Sequence, residues 1–184
     1  MSNVYLKFPT IEDKDNWLDY LDEYHKYNPK ASPLGYKDDF IFEEWIKNVE
    51  NSHKGIDLKE GWVPSSMYFV MDDDRIVGTL SVRHNLNTPM LSKYAGHIGY
   101  GVRPSERRKG YATTLLNLAL EKCRELGLDR VMVSCKEDNI GSAKTIENNC
   151  GELEEYVEDN GMTFKKYWIN VEEALNKKES IRKR

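Results

Sequence analysis

The chain has 184 residues, the size of one domain, and its 39% hydrophobic and 11% aromatic content is enough to fill a core. Lys and Arg number 27 against 31 Asp and Glu, a net charge of -4, which excludes the general cationic surface of a nucleic-acid binder. The three cysteines, Cys123, Cys135 and Cys150, form neither a C-x-x-C pair nor a Cys/His zinc spacing, and no apolar run approaches the ~18 residues of a membrane span. The expected setting is a reducing cytoplasm, with no membrane, nucleic acid or metal involved.

In chain order, Val4, Leu6 and Phe8 alternate as a short strand, and Thr10 caps a helix over 11–24 with Trp17, Leu18 and Leu21 as its apolar stripe. Residues 28–37 carry two prolines and a glycine and read as a surface loop before a helix over 38–48. A polar stretch over 51–66 leads to a β-prone run at 67–71, an acidic turn at 72–74, and a return strand over 75–83. A polar connection over 84–95 precedes a strand over 96–103. Ala112, Leu115, Leu116, Ala119, Leu120, Cys123 and Leu126 then keep helical spacing until Gly127. Residues 130–135 form a buried strand, so strand, helix and strand make a unit suited to a parallel pair. Asn139 caps a helix to about 149, and strands over 152–158 and 162–171 meet at an Asp159-Asn-Gly turn. Residues 1–171 read as one domain and 172–184 as a charged tail.

The chemistry concentrates between the 96–103 strand and the long helix. There Arg103, Arg107, Arg108 and Lys109 crowd a turn that ends at Gly110. Backbone N–H groups at a helix N-terminus lack internal partners and face the positive end of the dipole, so a phosphate or pyrophosphate can sit there with the basic side chains around it. Gly110 lets the backbone approach closely. The same residues also suit an ordinary solvated turn. Neither G-x-x-x-x-G-K-[ST] nor G-x-G-x-x-G is present.

Arg107-x-x-Gly110-x-Ala112, after a strand ending Gly-Tyr-Gly-Val-Arg-Pro and before Asn139-x-x-Ser142, resembles the acetyl-CoA pyrophosphate motif of the GNAT superfamily of N-acetyltransferases. The resemblance covers residues 67–171 well, and residues 96–151 are similar to a bacterial branch of that family. It implies an α/β fold of the GNAT acyl-CoA N-acyltransferase kind: a mixed, mostly antiparallel twisted sheet flanked by helices, with a splayed parallel pair at the cofactor site. It also implies direct transfer of acetyl from acetyl-CoA to a primary amine in a ternary complex.

By position, the backbone from Arg107 through Arg108, Lys109, Gly110, Tyr111 and Ala112 to Thr113 would hold the pyrophosphate. Gly101 and Val102 would pair with the pantetheine arm, and the Val102 N–H would face the thioester oxygen. Asn139 and Ser142 would lie toward that arm, although capping their own helix is reason enough for both. His97 stands where related enzymes often carry a glutamate, and an imidazole near pKa ~6.5 suits a general base. His84 is a second candidate or an acceptor contact. Many relatives place a tyrosine seven residues after the asparagine to protonate the leaving thiolate; here Ile146 stands there, leaving Tyr100, Tyr167, water or an unaided thiolate. Glu23, Tyr36 and Trp62 are expected to shape an acceptor pocket. The rival readings are an acyl-CoA sensor without turnover and an interaction module that kept only the fold. A small amine or a peptide acceptor are both open as partners, as is a homodimer.

Overall fold

The computed structural model describes residues 3–27 and 40–182. Four antiparallel strands, β1 (Val4–Lys7), β2 (Ser65–Asp72), β3 (Arg75–Arg83) and β4 (Ile98–Val102), form one sheet in that order. A second sheet has the order β5 (Arg130–Lys136), β7 (Met162–Asn170), β6 (Glu152–Asp159), also antiparallel. The β6–β7 hairpin turns on Asn160 and Gly161, both at positive φ (48° and 73°), as the Asp159-Asn-Gly sequence predicts.

Helices α1 (Lys14–Tyr27) and α2 (Phe42–Lys54) cover one face of the first sheet. Trp17, fully buried, stacks between Tyr20 at 5.3 Å and Trp45 at 5.2 Å, with Phe69 of β2 at 5.2 Å. The stripe expected on α1 is rotated: Tyr20 and Tyr24 are buried, whereas Leu18 is exposed. Helix α2 lies further along than expected, because Gly55, at φ 70°, ends it with the left-handed cap that glycine favours.

The opposite face packs on α3 (Tyr111–Glu125), whose Leu115, Leu116, Ala119, Leu120 and Cys123 are fully buried as their spacing predicts. Helix α4 (Ile140–Asn148) and helix α5 (Val171–Arg182) complete that layer. Residues 172–182 of the segment expected to be a tail are therefore helical, and Ala174 and Leu175 are buried in the same core as α3.

The 84–95 connection is also more structured than its polarity predicts. Residues Leu91–Ala95 form one wide helical turn, which stacks Tyr94 on Phe164 of β7 at 5.0 Å. Gly96 follows at φ 67°, where a Cβ would lie 2.5 Å from the Met132 carbonyl oxygen. Only glycine lets the chain pass so close to β5.

Candidate functional site

The two sheets touch at the foot of β4 and β5 and separate above it. The His97 N–H donates to the Met132 carbonyl at 2.8 Å, and the Met132 N–H donates to Nδ1 of His97 at 3.0 Å. Higher up, Tyr100 of β4 reaches Ser142, just past the end of β5, so the two strands run the same way. Among the described residues no backbone hydrogen bond joins β4 to β5 beyond the His97 bridge. The result is a V-shaped opening between two strand edges.

Alternation fixes which groups face that opening. Arg83 N–H donates to the His97 carbonyl at 2.7 Å and Arg103 N–H to the Val77 carbonyl at 2.8 Å, and between them β3 and β4 pair Ser81 with Gly99 and Thr79 with Gly101. In an antiparallel pair every second residue bonds to its partner. Gly99 and Gly101 therefore bond back to β3, and the N–H groups of Tyr100 and Val102 point into the V without a partner among the described residues. Of Gly101 and Val102, expected to offer their backbone to a ligand, only Val102 has an open N–H, and Tyr100 supplies the second. Gly101 serves by lacking a side chain, since a Cβ there would lie 3.0 Å from the Tyr24 hydroxyl. That hydroxyl donates to the Val102 carbonyl at 2.9 Å.

Above the V, Pro104–Glu106 form a short turn that leads into α3. The Arg107 N–H bonds to the Pro104 carbonyl and the Thr113 N–H to the Gly110 carbonyl, so the expected run of open N–H groups narrows to Arg108, Lys109, Gly110, Tyr111 and Ala112. Arg108 and Gly110 sit at positive φ (64° and 90°), which turns successive N–H groups toward one concave spot suited to an anion. The basic side chains differ in what they do. Lys109 turns back to Glu106 at 2.9 Å. Arg107 lies over the ring of Tyr27 at 4.4 Å and its Nε approaches the Val102 carbonyl at 3.4 Å. The Arg108 guanidinium has no partner among the described residues. Tyr111 gives the loop only its backbone, because its hydroxyl donates to Asp72 and that carboxylate, with burial, pushes the phenol up to about 12.

Arg103, expected as an outer clamp, is fully buried and pins the loop to α1. Its Nε donates to Glu23 at 2.6 Å, Nη2 to Asp19 at 2.6 Å and Nη1 to the Ile76 carbonyl at 3.1 Å. Glu23 is thereby taken up in the scaffold: its other oxygen accepts the Ser105 N–H at 2.7 Å. Burial alone would raise its carboxyl pKa, but Arg103 and Ser105 hold it below the usual range.

His97 also departs from its expected role. It is 6% exposed, its Nδ1 is occupied by the Met132 N–H, and burial together with the nearby Arg83 pushes its pKa down to about 4. An imidazole whose acceptor nitrogen holds a backbone donor is a strand connector and does not suit proton abstraction. His84 turns away from the V as well: its Nε2 lies 2.8 Å from the Ser66 hydroxyl, which also meets Nδ1 of His53 at 2.8 Å. Burial and His53 lower its pKa.

On the α3 and α4 side of the V, Tyr100 Oη lies 2.7 Å from Ser142 Oγ, and burial pushes the Tyr100 phenol up to about 12. Asn139 Oδ1 accepts the Ser142 N–H at 3.1 Å, capping α4. Ile146 is fully buried in the main core, so its position does not open on the V. The ring of Tyr167 is buried in that core and its hydroxyl donates to the exposed Glu147 at 3.1 Å. Trp62 is 63% exposed with Lys59 over its ring at 5.8 Å. Tyr36 and the 28–37 loop lie outside the described residues. Sequence reasoning missed Tyr24, Arg83 and Asn149, whose Nδ2 ties α4 to the Thr113 carbonyl at 3.2 Å. Only the i, i+4 spacing of Tyr20 and Tyr24 signalled any of them.

An anion cradle at a helix N-terminus, continuous with two open strand N–H groups, can hold an extended ligand that has a phosphate at one end and amides along its length. The family model for the acetyltransferase (GNAT) family matches residues 15–151. The chain belongs to the GNAT acetyltransferase family. No curated protein matches this GNAT chain by sequence. Among solved structures it is similar to Mycobacterium smegmatis RimJ in complex with CoA-disulfide, at 18% identity and TM-score 0.70, covering 98% of this chain and 90% of that one. It is also similar to the microcin C7 self-immunity acetyltransferase MccE in complex with acetyl-CoA and AMP, at 18% identity and TM-score 0.66, covering 91% and 92%. A third likeness is to RimL, a ribosomal L7/L12 α-N-protein acetyltransferase in complex with coenzyme A, at 18% identity and TM-score 0.65, covering 93% and 97%. These likenesses establish the GNAT fold. Among the described residues no helix is long and apolar enough to cross a membrane, and no three His, Cys, Asp or Glu side chains group as metal ligands.

Proposed function

We propose that the protein is an N-acetyltransferase that moves the acetyl group of acetyl-CoA directly to a primary amine in a ternary complex. The observation that carries this reading is the continuity of open donors, from the N–H groups of Arg108 to Ala112 down to those of Val102 and Tyr100. The acetyl-CoA and CoA complexes of MccE, RimJ and RimL support it.

Acetyl-CoA would supply an activated thioester. The loop N–H groups and Arg108 hold its pyrophosphate, and Arg107 swings from Tyr27 to join them. The Tyr100 and Val102 N–H groups pair with the arm, and the Val102 N–H steadies the negative charge that gathers on the thioester oxygen, an effect worth about 3 kcal/mol for one preorganised donor. As the amine nitrogen bonds to the acetyl carbon, the C–S electron pair leaves on sulfur and the ammonium proton passes to water. Tyr100 and Ser142 share one hydrogen bond, so one of the two hydroxyls remains to donate toward that sulfur. A thiol of pKa ~8.5 leaves readily enough that a phenol held near 12 need not surrender its proton. Cys123 and Cys135 do not suit an acetyl-cysteine step, because burial pushes Cys123 up to about 12 and raises Cys135.

Titration with acetyl-CoA tests the reading. Ligand at 100 times Kd adds about 2.7 kcal/mol of stability, and an amine panel then releases free thiol. Saturable binding without turnover on any amine would favour the sensor reading, and no binding would favour the interaction module.

A further inference from the structure

We infer that the acceptor amine carries an anionic group, a carboxylate or phosphate, and that Arg83 receives it; this rests on the acetyl-transfer reading above. The groups that face the donor's phosphate and sulfur lie at the loop and on the α3 and α4 side. On the other face of β4, Gly101 is covered by the Tyr24 hydroxyl of α1, whereas Gly99 is flanked only by the polar side chains of Ser81 and Arg83, so the second substrate meets the V beside Gly99.

Arg83 borders that approach. A Cβ at Gly99 would lie 3.9 Å from Nη2 and 4.0 Å from Nη1 of Arg83, and 3.6 Å from the Ser81 hydroxyl. Both terminal nitrogens of the guanidinium therefore lie beside the glycine. Among the described residues the guanidinium makes two hydrogen bonds, both from Nη1, to the Ala95 carbonyl at 3.3 Å and the Gly96 carbonyl at 3.0 Å. Nε and Nη2 have no acceptor, and no carboxylate pairs with the group among the described residues.

The contrast with Arg103 is instructive. That buried guanidinium is neutralised by Glu23 and Asp19. Arg83 is partly buried in an acidic protein yet keeps a full charge with two donors unspent, an arrangement that costs desolvation unless an anion completes it. Gly99 and Val102 are three residues apart, about 10 Å along a strand. An extended chain advances about 1.25 Å per bond, so an amine at the Val102 N–H with its anionic group about six to eight bonds away spans that distance. A polyamine would bring a second cation against Arg83.

The test uses the full chain and matched amine pairs long enough for that span: 6-aminohexanoate against 6-aminohexanamide, 6-aminohexyl phosphate against 6-aminohexanol, with spermidine as the cationic contrast. The anionic member of at least one pair is expected to show ~10- to 100-fold higher kcat/KM, carried by KM, as fits a charge-assisted contact. Which pair shows it separates carboxylate from phosphate. In Arg83→Gln, which can still donate to the two carbonyls, the ratio within the pair falls toward one, and Arg83→Lys recovers part of it. A merely structural role would lower both members alike and leave the ratio. Equal or better use of neutral amines or spermidine, or an unchanged ratio in Arg83→Gln, overturns the inference. With acetyl-CoA bound, those results leave the proposed function standing; failure of acetyl-CoA to bind, or of every amine to react, overturns both.

Discussion

Met132 holds His97 through both of its backbone groups: its carbonyl accepts the His97 N–H at 2.8 Å and its own N–H donates to the His97 imidazole at 3.0 Å. The ring stands in for a strand carbonyl at the one point where the two sheets meet. It closes the foot of the V and leaves the rest of both edges free.

Acid stability follows from that contact. His97 titrates near 6.5 when unfolded and, through burial and Arg83, near about 4 when folded, so between these values the unfolded chain binds the extra proton. Stability is then fully present above about pH 6.5 and declines as pH falls toward 4, by at most about 3 kcal/mol. His84, also lowered, adds in the same direction. Urea unfolding at pH 7.5 and 5 measures the slope, and His97→Gln, which keeps an acceptor for Met132, reduces it.

The kinetics separate His97 from base catalysis. With proton loss to water, the alkaline-rising limb of kcat/KM moves with the pKa of the amine used and persists in His97→Gln. A limb fixed near neutrality for all amines and lost in the variant would restore His97 as the base.

Gly96→Ala places a methyl group 2.5 Å from the Met132 carbonyl oxygen at a φ of 67°. The left-handed conformation and the weakened bridge together cost about 2 to 3 kcal/mol. Thermal unfolding of the variant measures it, and an unchanged Tm would mean that the bridge contributes little.

Arg103→Ala removes the charge-assisted hydrogen bonds to Glu23 and Asp19 and leaves a gap where the guanidinium was buried, and should destabilise by about 2 to 4 kcal/mol. Glu23→Gln should cost less, since its amide oxygen still accepts from Arg103. Where folded, it should weaken acetyl-CoA binding through the Ser105 turn while leaving discrimination among amines alone. A change in acceptor preference instead would return Glu23 to the pocket.

The parts of this fold that were legible in the sequence are those in which one face is buried along a whole element. The α3 stripe from Leu115 to Cys123 and the Asn160–Gly161 turn are local patterns, read without knowledge of partners. The phosphate loop was legible for a similar reason, since its open N–H groups belong to the backbone and need only a helix start. What escaped depends on contacts distant in sequence. Arg103 looks like Arg107 in a basic turn, and only the approach of α1, 80 residues earlier for Glu23, makes it a buried anchor. His97 reads as a base until Met132, 35 residues on, takes its Nδ1. The register that sends the Tyr100 and Val102 N–H groups outward, and those of Gly99 and Gly101 inward, is set by β3 and has no mark in the strand's own sequence.

The most direct measurement is amide hydrogen exchange at single-residue resolution, with and without saturating acetyl-CoA. In the free protein the N–H groups of Tyr100, Val102 and Arg108 to Ala112 should exchange faster than those of Gly99 and Gly101, which bond to β3. Acetyl-CoA should slow the first set selectively, by at least about tenfold. Bound acetyl-CoA that leaves Tyr100 and Val102 unprotected would contradict the assignment of the V as the donor cleft.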